Sequence, residues 1–130
     1  MRRAVLVLTG LGLLAGPAAA DTFDRTVKAN TRAAIGGFLG YEVDTCYPSV
    51  VPDAKVRQAP ANGTIQFVPH QQKLGNDTRC PGTTVRGLVY VYTPNKGFKG
   101  TDELAIDLPW ASTDSGPQLI RTHTFRIRVE

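Results

Sequence analysis

Residues 119–130 read LIRTHTFRIRVE, and the second half of that stretch decides the fold class. Phe125, Ile127 and Val129 alternate with Thr124, Arg126 and Arg128. Successive side chains of a β-strand point to opposite faces, so this segment has one apolar and one charged face. A slip of one residue would turn the arginines into the core, so the register is firmly set. The same period-two pattern recurs upstream. Residues 103–108 (ELAIDL) put Leu104, Ile106 and Leu108 on one face. Residues 85–93 (VRGLVYVYT) are the longest strand candidate, with Leu88, Tyr90 and Tyr92 facing inward. Residues 64–68 pair Ile65 with Phe67, residues 54–58 point Val56 inward, and residues 41–46 put Tyr41 and Val43 together.

Between these segments Pro, Gly, Asn, Asp and Thr recur about every 8–15 residues, the punctuation of short strands. PANG (60–63) and PNKGFKGT (94–101) read as turns, and residues 70–82 and 110–118 as polar loops. Residues 25–35 come nearest to a helical period but run into Gly36-Gly37, so they read as one helical turn or a first edge strand. The sum is an all-β chain of about seven strands, the count of an immunoglobulin-like β-sandwich.

Ahead of this domain, residues 1–20 have the three parts of a secretory signal. Arg2 and Arg3 supply positive charge, residues 4–14 (AVLVLTGLGLL) the apolar middle, and residues 16–20 (GPAAA) the small residues before a cut expected at Asp21. The apolar run is short of the ~20 residues a membrane span needs, so no transmembrane segment is expected in the mature chain. Removing residues 1–20 from 130 leaves 110, enough for one domain. Without Arg2 and Arg3 the 15 basic residues become 13 against 11 acidic ones, a net charge of +2. That is too little to argue for nucleic acid as a partner. The expected location is periplasmic or secreted. Cys46 and Cys80, an even count in an oxidising compartment and not in a CxxC arrangement, read as a disulfide. In the chain-entropy description a loop of that size contributes roughly 3–4 kcal/mol.

Two stretches carry a family resemblance. Pro60-Ala61-Asn62-Gly63-Thr64-Ile65 is similar to a P-x-x-G-T-V motif. Residues 92–104 (YTPNKGFKGTDEL) are similar to Y-T-P-x-x-G-F-x-G-T-D-x-F, with Leu104 where Phe is usual. With the closing strand, residues 59–130 resemble the bacterial immunoglobulin-like, cadherin-like domains found in tandem in large secreted adhesins. The resemblance implies a β-sandwich, and Tyr92, Pro94, Gly97, Phe98, Gly100 and Asp102 as its structural corner. Physical chemistry gives those residues the same work. Gly97 and Gly100 permit positive φ. Asp102 can bond nearby backbone N–H groups. Phe98 is placed to plug the end of the sandwich.

Catalytic and metal chemistry find little support. The chain has two histidines, His70 and His123, and neither a G-x-S-x-G nor an H-E-x-x-H motif. Ser112, Asp114 and His123 would have to meet in space to form a triad. Asp102, Glu103 and Asp107 read as a turn residue and a solvated face. Cadherin-like domains often hold Ca²⁺ between neighbours, but no D-x-D-x-D-G loop occurs, so no metal or cofactor is expected. Asn62-Gly63-Thr64 and Asn76-Asp77-Thr78 are formal glycosylation sequons.

The candidate binding residues are Trp110, Arg121, His123, Arg126 and Arg128. The arginines with His123 make an outward stripe on the last strand: an edge guarded by charge, or a docking face for an acidic partner. Trp110, the single Trp, enters a polar loop as a rim aromatic or a recognition residue, and Tyr47, directly after Cys46 near a loop, is a second aromatic suited to sugar or protein recognition if exposed. The expectation is a non-enzymatic exported module that binds another protein through a sheet edge or through the Trp110 and Cys80 loops. The alternatives are recognition of a glycan or small ligand by loop aromatics, and a small hydrolase or enzyme inhibitor.

Overall fold

The alternating segments are strands in the computed structural model, which describes residues 20–110, 117 and 119–130; for Ala20 and Trp110 the backbone alone is described. Seven strands follow one another: β1 (Ala20–Val27), β2 (Ala33–Leu39), β3 (Lys55–Gln58), β4 (Gly63–Lys73), β5 (Thr84–Pro94), β6 (Gly100–Trp110) and β7 (Leu119–Val129). They form a four-stranded sheet in the order β1-β7-β6-β3 and a three-stranded sheet in the order β2-β5-β4. Only β1 and β7 run parallel; the remaining pairs are antiparallel. Grouping the second, fifth and fourth strands against the seventh, sixth and third is the Greek-key arrangement of an immunoglobulin-like sandwich, here with the first strand joined to the last. No helix occurs among the described residues.

The register of β6 and β7 sets the core. Leu104 faces Phe125 and Asp102 faces Ile127 across the two strands. From the other sheet come Ile35, Tyr90 and Tyr92, and from β1 Val27. Fully burying one such side chain stabilises by about 1.5–3 kcal/mol, so this apolar layer is the main favourable contribution to folding. Gly36, which resembled a breaker in the sequence, sits inside β2 because a Cβ there would come within 2.9 Å of the Phe125 ring. The glycine is there for close packing of the two sheets, and β2 runs through it.

Several local expectations need correction. Residues 25–35 are neither a helical turn nor one strand: β1 ends at Val27 and β2 begins at Ala33. Residues 41–46 are not a strand. The chain turns there, with the Cys46 N–H donating to the Glu42 carbonyl (2.8 Å) and Cys46 at φ 59°, and Tyr41 makes only an isolated bridge to Pro48. Val43 is therefore exposed. Val56 is exposed too, although it lies opposite Ile106. Its strand is the outermost of four and faces a sheet of only three. Residues 70–73 belong to β4, because rungs to residues 84–87 of β5 continue past the apolar part of the hairpin. Their polar side chains hid the pairing. Trp110 is the last residue of β6, and residues 111–116 and 118 of the expected loop lie outside the described residues. Apart from Ala20, so does the expected signal segment.

Candidate functional site

The topology gives the sandwich two ends with different chemistry. At one end the β1–β2, β3–β4 and β5–β6 turns meet, and they are tightly bonded. Asp102, 4% exposed, accepts hydrogen bonds from the Ala61 N–H (3.0 Å), the Asn62 N–H (3.0 Å), the Glu103 N–H (2.9 Å) and the Tyr92 hydroxyl (2.7 Å). Burial and the Asp102 carboxylate push the Tyr92 phenol well above its ordinary range, so it stays a donor. The Asn95 N–H donates to the Asn62 carbonyl (2.8 Å), and the Gly97 N–H to the Asn30 side chain (2.8 Å). Gly97 and Gly100 take positive φ, 80° and 138°, and Phe98 packs against the core. The two motif stretches, far apart in sequence, are thus one hydrogen-bonded unit around a single carboxylate. At this end the buried Asp102 carboxylate and the turn backbones around it are used in holding the fold.

At the opposite end lie the β2–β3 connection (residues 40–54), the β4–β5 turn (residues 74–83), the last rung of β6 and β7 between Trp110 and Leu119, and the start of β1. The Cys46–Cys80 disulfide joins the first two of these. Cys80 is buried, with its sulfur 3.7 Å from the Val43 carbonyl oxygen. Within the 40–54 segment the Glu42 N–H donates to the Tyr47 carbonyl (2.8 Å) and the Ser49 N–H to the Gly40 carbonyl (3.0 Å). The segment is therefore an ordered loop that carries apolar side chains outward: Val50 is 88% exposed and Tyr47 72%. Leu39, Val43, Leu119 and Ile120 are also exposed, so every exposed large hydrophobic among the described residues except Val56 belongs to this end. Single exposed apolar residues are ordinary. Here six of the seven among the described residues lie at one end of the sandwich, on the 40–54 loop, at the end of β2 and at the start of β7.

Two adjoining clefts, of about 440 and 540 Å³, run beside this loop and share Val51 and Arg86. They open between the 48–51 segment and the far half of the β4–β5 hairpin, where Gln71, Lys73, Thr84 and Arg86 stand exposed although they are in phase with the core-facing Ile65, Phe67, Leu88, Tyr90 and Tyr92 of the same strands.

The sequence-predicted basic stripe is divided. β7 is not an edge strand; it lies between β1 and β6. Arg126 and Arg128 point outward and meet acidic partners, Arg126 at 3.7 Å from Glu103 and Arg128 at 3.1 Å from Glu130. Arg121 and His123 occupy alternate rungs in phase with Phe125, on the inward face. His123 is half-buried, with its ring edge-on to Phe23 (5.5 Å) and inclined to Tyr90 (6.5 Å). The outward assignment of His123 failed because residues 121–124 (RTHT) alternate threonine with charged or titratable residues and give no apolar signal of their own. Arg57 and Thr122 converge on Asp107 on the outer face. The Trp110 side chain, Ser112 and Asp114 fall outside what is described, so the triad arrangement has no geometry here. Among the described residues no three His, Cys, Asp or Glu side chains gather closely enough to hold a metal ion, and no helix is long and apolar enough to cross a membrane.

Burial lowers the His123 pKa, with Arg121 adding to the effect and Asp21, 3.9 Å away, opposing it. The folded state therefore favours the neutral imidazole. This contribution to stability is complete above the unfolded histidine value of about 6.5 and is lost as pH falls through the lowered folded value. The melting temperature is expected to drop on going from about pH 7.5 to about pH 5, and to drop less in His123→Phe. Equal drops in the two proteins, followed by circular dichroism, would contradict a neutral His123.

Comparison with protein-family models, with curated proteins and with solved structures gives no match. The class of the molecule accordingly rests on its architecture: a disulfide-bonded immunoglobulin-like β-sandwich with one hydrogen-bonded end and one apolar end. Sequence reasoning selected the Cys80 loop and the end of β6, which share that apolar end. It also weighed Tyr47 as a loop aromatic suited to recognition, read Val43 into a strand, and passed over Val50; the signal available for Val50 was its place between Pro48 and Pro52, where no regular strand could use it.

Proposed function

We propose that the protein is an exported, non-enzymatic recognition module that binds another protein of the cell envelope or extracellular space through its disulfide-bonded end. The observation that carries the proposal is the gathering of Leu39, Val43, Tyr47, Val50, Leu119 and Ile120 in exposed positions at one end of the sandwich. A disulfide that fastens the 40–54 loop to the β4–β5 turn keeps this surface formed before a partner arrives, which lowers the ordering cost of binding. An oxidised cysteine pair and the signal-like residues 1–20 support export. The meeting of both motif stretches at Asp102 supports the resemblance to cadherin-like domains.

Tyr47 favours a second reading, in which the same end recognises a glycan through an exposed aromatic ring. One experiment separates the two. A photo-crosslinking amino acid is placed at Tyr47 or, at the opposite end, at Lys96, and the protein is irradiated with the envelope fraction of its native cells. Crosslinks to a discrete protein from position 47, absent from position 96 and abolished by Val50→Asp, are the expected result. Crosslinks of equal yield from position 96 would contradict the proposal. Glycan-array binding that disappears in Tyr47→Ala would replace it with the second reading.

A further inference from the structure

We propose that the trough formed by the two adjoining clefts receives an extended segment of the partner polypeptide, with an Asp or Glu side chain of that segment paired to Arg86. This rests on the protein-binding reading above and specifies its chemistry. Arg86 lines both clefts and is the single Lys, Arg, Asp or Glu in either lining. It is exposed and forms no ion pair with any described residue. The contrast with the sandwich's outer face is instructive, because Arg57, Arg126 and Arg128 there each meet an acidic group. The walls around Arg86 are mainly apolar, from Pro48, Val50, Val51, Pro69 and Leu88, interrupted by His70, Gln71 and the hydroxyls of Ser49 and Thr84.

Those features select the ligand. A guanidinium presents a planar fork of donors that matches a carboxylate in two parallel bonds. Apolar walls exclude water from such a pair once a ligand covers it, which strengthens it relative to a pair on an open surface. A single arginine in a mainly apolar lining does not suit a nucleic acid or a polyphosphate, which calls for several cations. Arg86 stands where the two clefts meet, so apolar space lies to both sides of it. An internal acidic residue with apolar neighbours before and after it fills that shape; a chain ending at its carboxylate fills only half.

The test is selection from a displayed library of random linear peptides on the intact, oxidised protein. Recovered peptides are expected to carry an internal Asp or Glu flanked on both sides by apolar residues. A synthetic peptide of the selected sequence is expected to lose about tenfold or more in affinity when its acid is replaced by the amide, and similarly when the protein carries Arg86→Gln. Combining both changes is expected to cost little more than either alone. The amide peptide probes the pairing on unaltered protein, so the outcome does not depend on how Arg86→Gln folds. Peptides without an acidic preference, enrichment of carboxyl-terminal acids alone, recovery of no binding sequence, or equal affinity for acid and amide would each overturn the assignment. Loss of the acid preference with the position-47 crosslink still formed would remove this inference and leave the recognition module standing.

Discussion

Replacing Asp102 with alanine is expected to lower the melting temperature by more than about 15 °C or to prevent folding altogether. The substitution leaves the Ala61 and Asn62 N–H groups and the Tyr92 hydroxyl without their acceptor. The Tyr92 hydroxyl is buried and the two N–H groups partly so; a buried donor left unsatisfied costs about 1–3 kcal/mol, so the summed loss is a large part of the ~5–15 kcal/mol that holds a whole domain. Asn in its place keeps one acceptor oxygen but turns an amide toward donors, so Asp102→Asn is expected to recover only part of the loss. Tyr92→Phe, which removes one donor and leaves the carboxylate its backbone partners, is expected to cost about 1–2 kcal/mol. Thermal unfolding of the three variants by circular dichroism gives the order Ala worst, Asn intermediate, Phe mildest. An Asp102→Ala protein that melts within a few degrees of the parent would show that the two motif stretches are not held together by this carboxylate.

The second large effect is expected from the Cys46→Ser, Cys80→Ser double variant. Opening a bridge across a sequence separation of 34 is expected to cost roughly 3–4 kcal/mol in the chain-entropy description. The loss is not evenly distributed. The core and the Asp102 unit remain bonded without the bridge, whereas the 40–54 loop keeps only its few internal hydrogen bonds. Amide exchange in the double variant is therefore expected to accelerate most in residues 40–54 and 74–83, and least around Asn62 and Glu103. Recognition through Tyr47 and Val50 is expected to weaken with it, because their exposure on a fixed loop is what the bridge maintains. Uniform acceleration across both ends would mean that the bridge acts on the whole sandwich rather than on its apolar end.

The fold was legible where apolar residues alternate strictly. Leu104, Ile106, Phe125, Ile127 and Val129 all lie in the core as their spacing predicts, and Cys46 and Cys80 are bonded. The turn residues were legible for a related reason, since Gly97, Gly100 and Asp102 have few other uses in that order. Legibility failed where one face of a strand has nothing to cover it. The outer half of β4 reads as polar loop because both of its faces are exposed, and Val56 reads as core because the sequence does not reveal which strand is outermost. β2 was missed because Gly36 and Gly37 resemble a turn, and the Phe125 ring that requires a glycine there comes from the other sheet. The candidate site suffered most. A continuous stripe from Arg121 to Arg128 required one face, and the strand gives its residues two. The groove at Arg86 brings together residues 48–51, 69–71 and 84–88, a juxtaposition that only the disulfide-bonded end of the finished sandwich creates.

Hydrogen–deuterium exchange on the crosslinked complex locates the bound partner on the sandwich. Relative to the free protein, slowed exchange is expected in residues 40–51 and 84–88, with residues 28–32 and 95–99 unchanged. Protection at the Asp102 end, with the 40–51 loop exchanging as freely as before, would contradict the division of this molecule into one end that holds the fold and one that meets a partner.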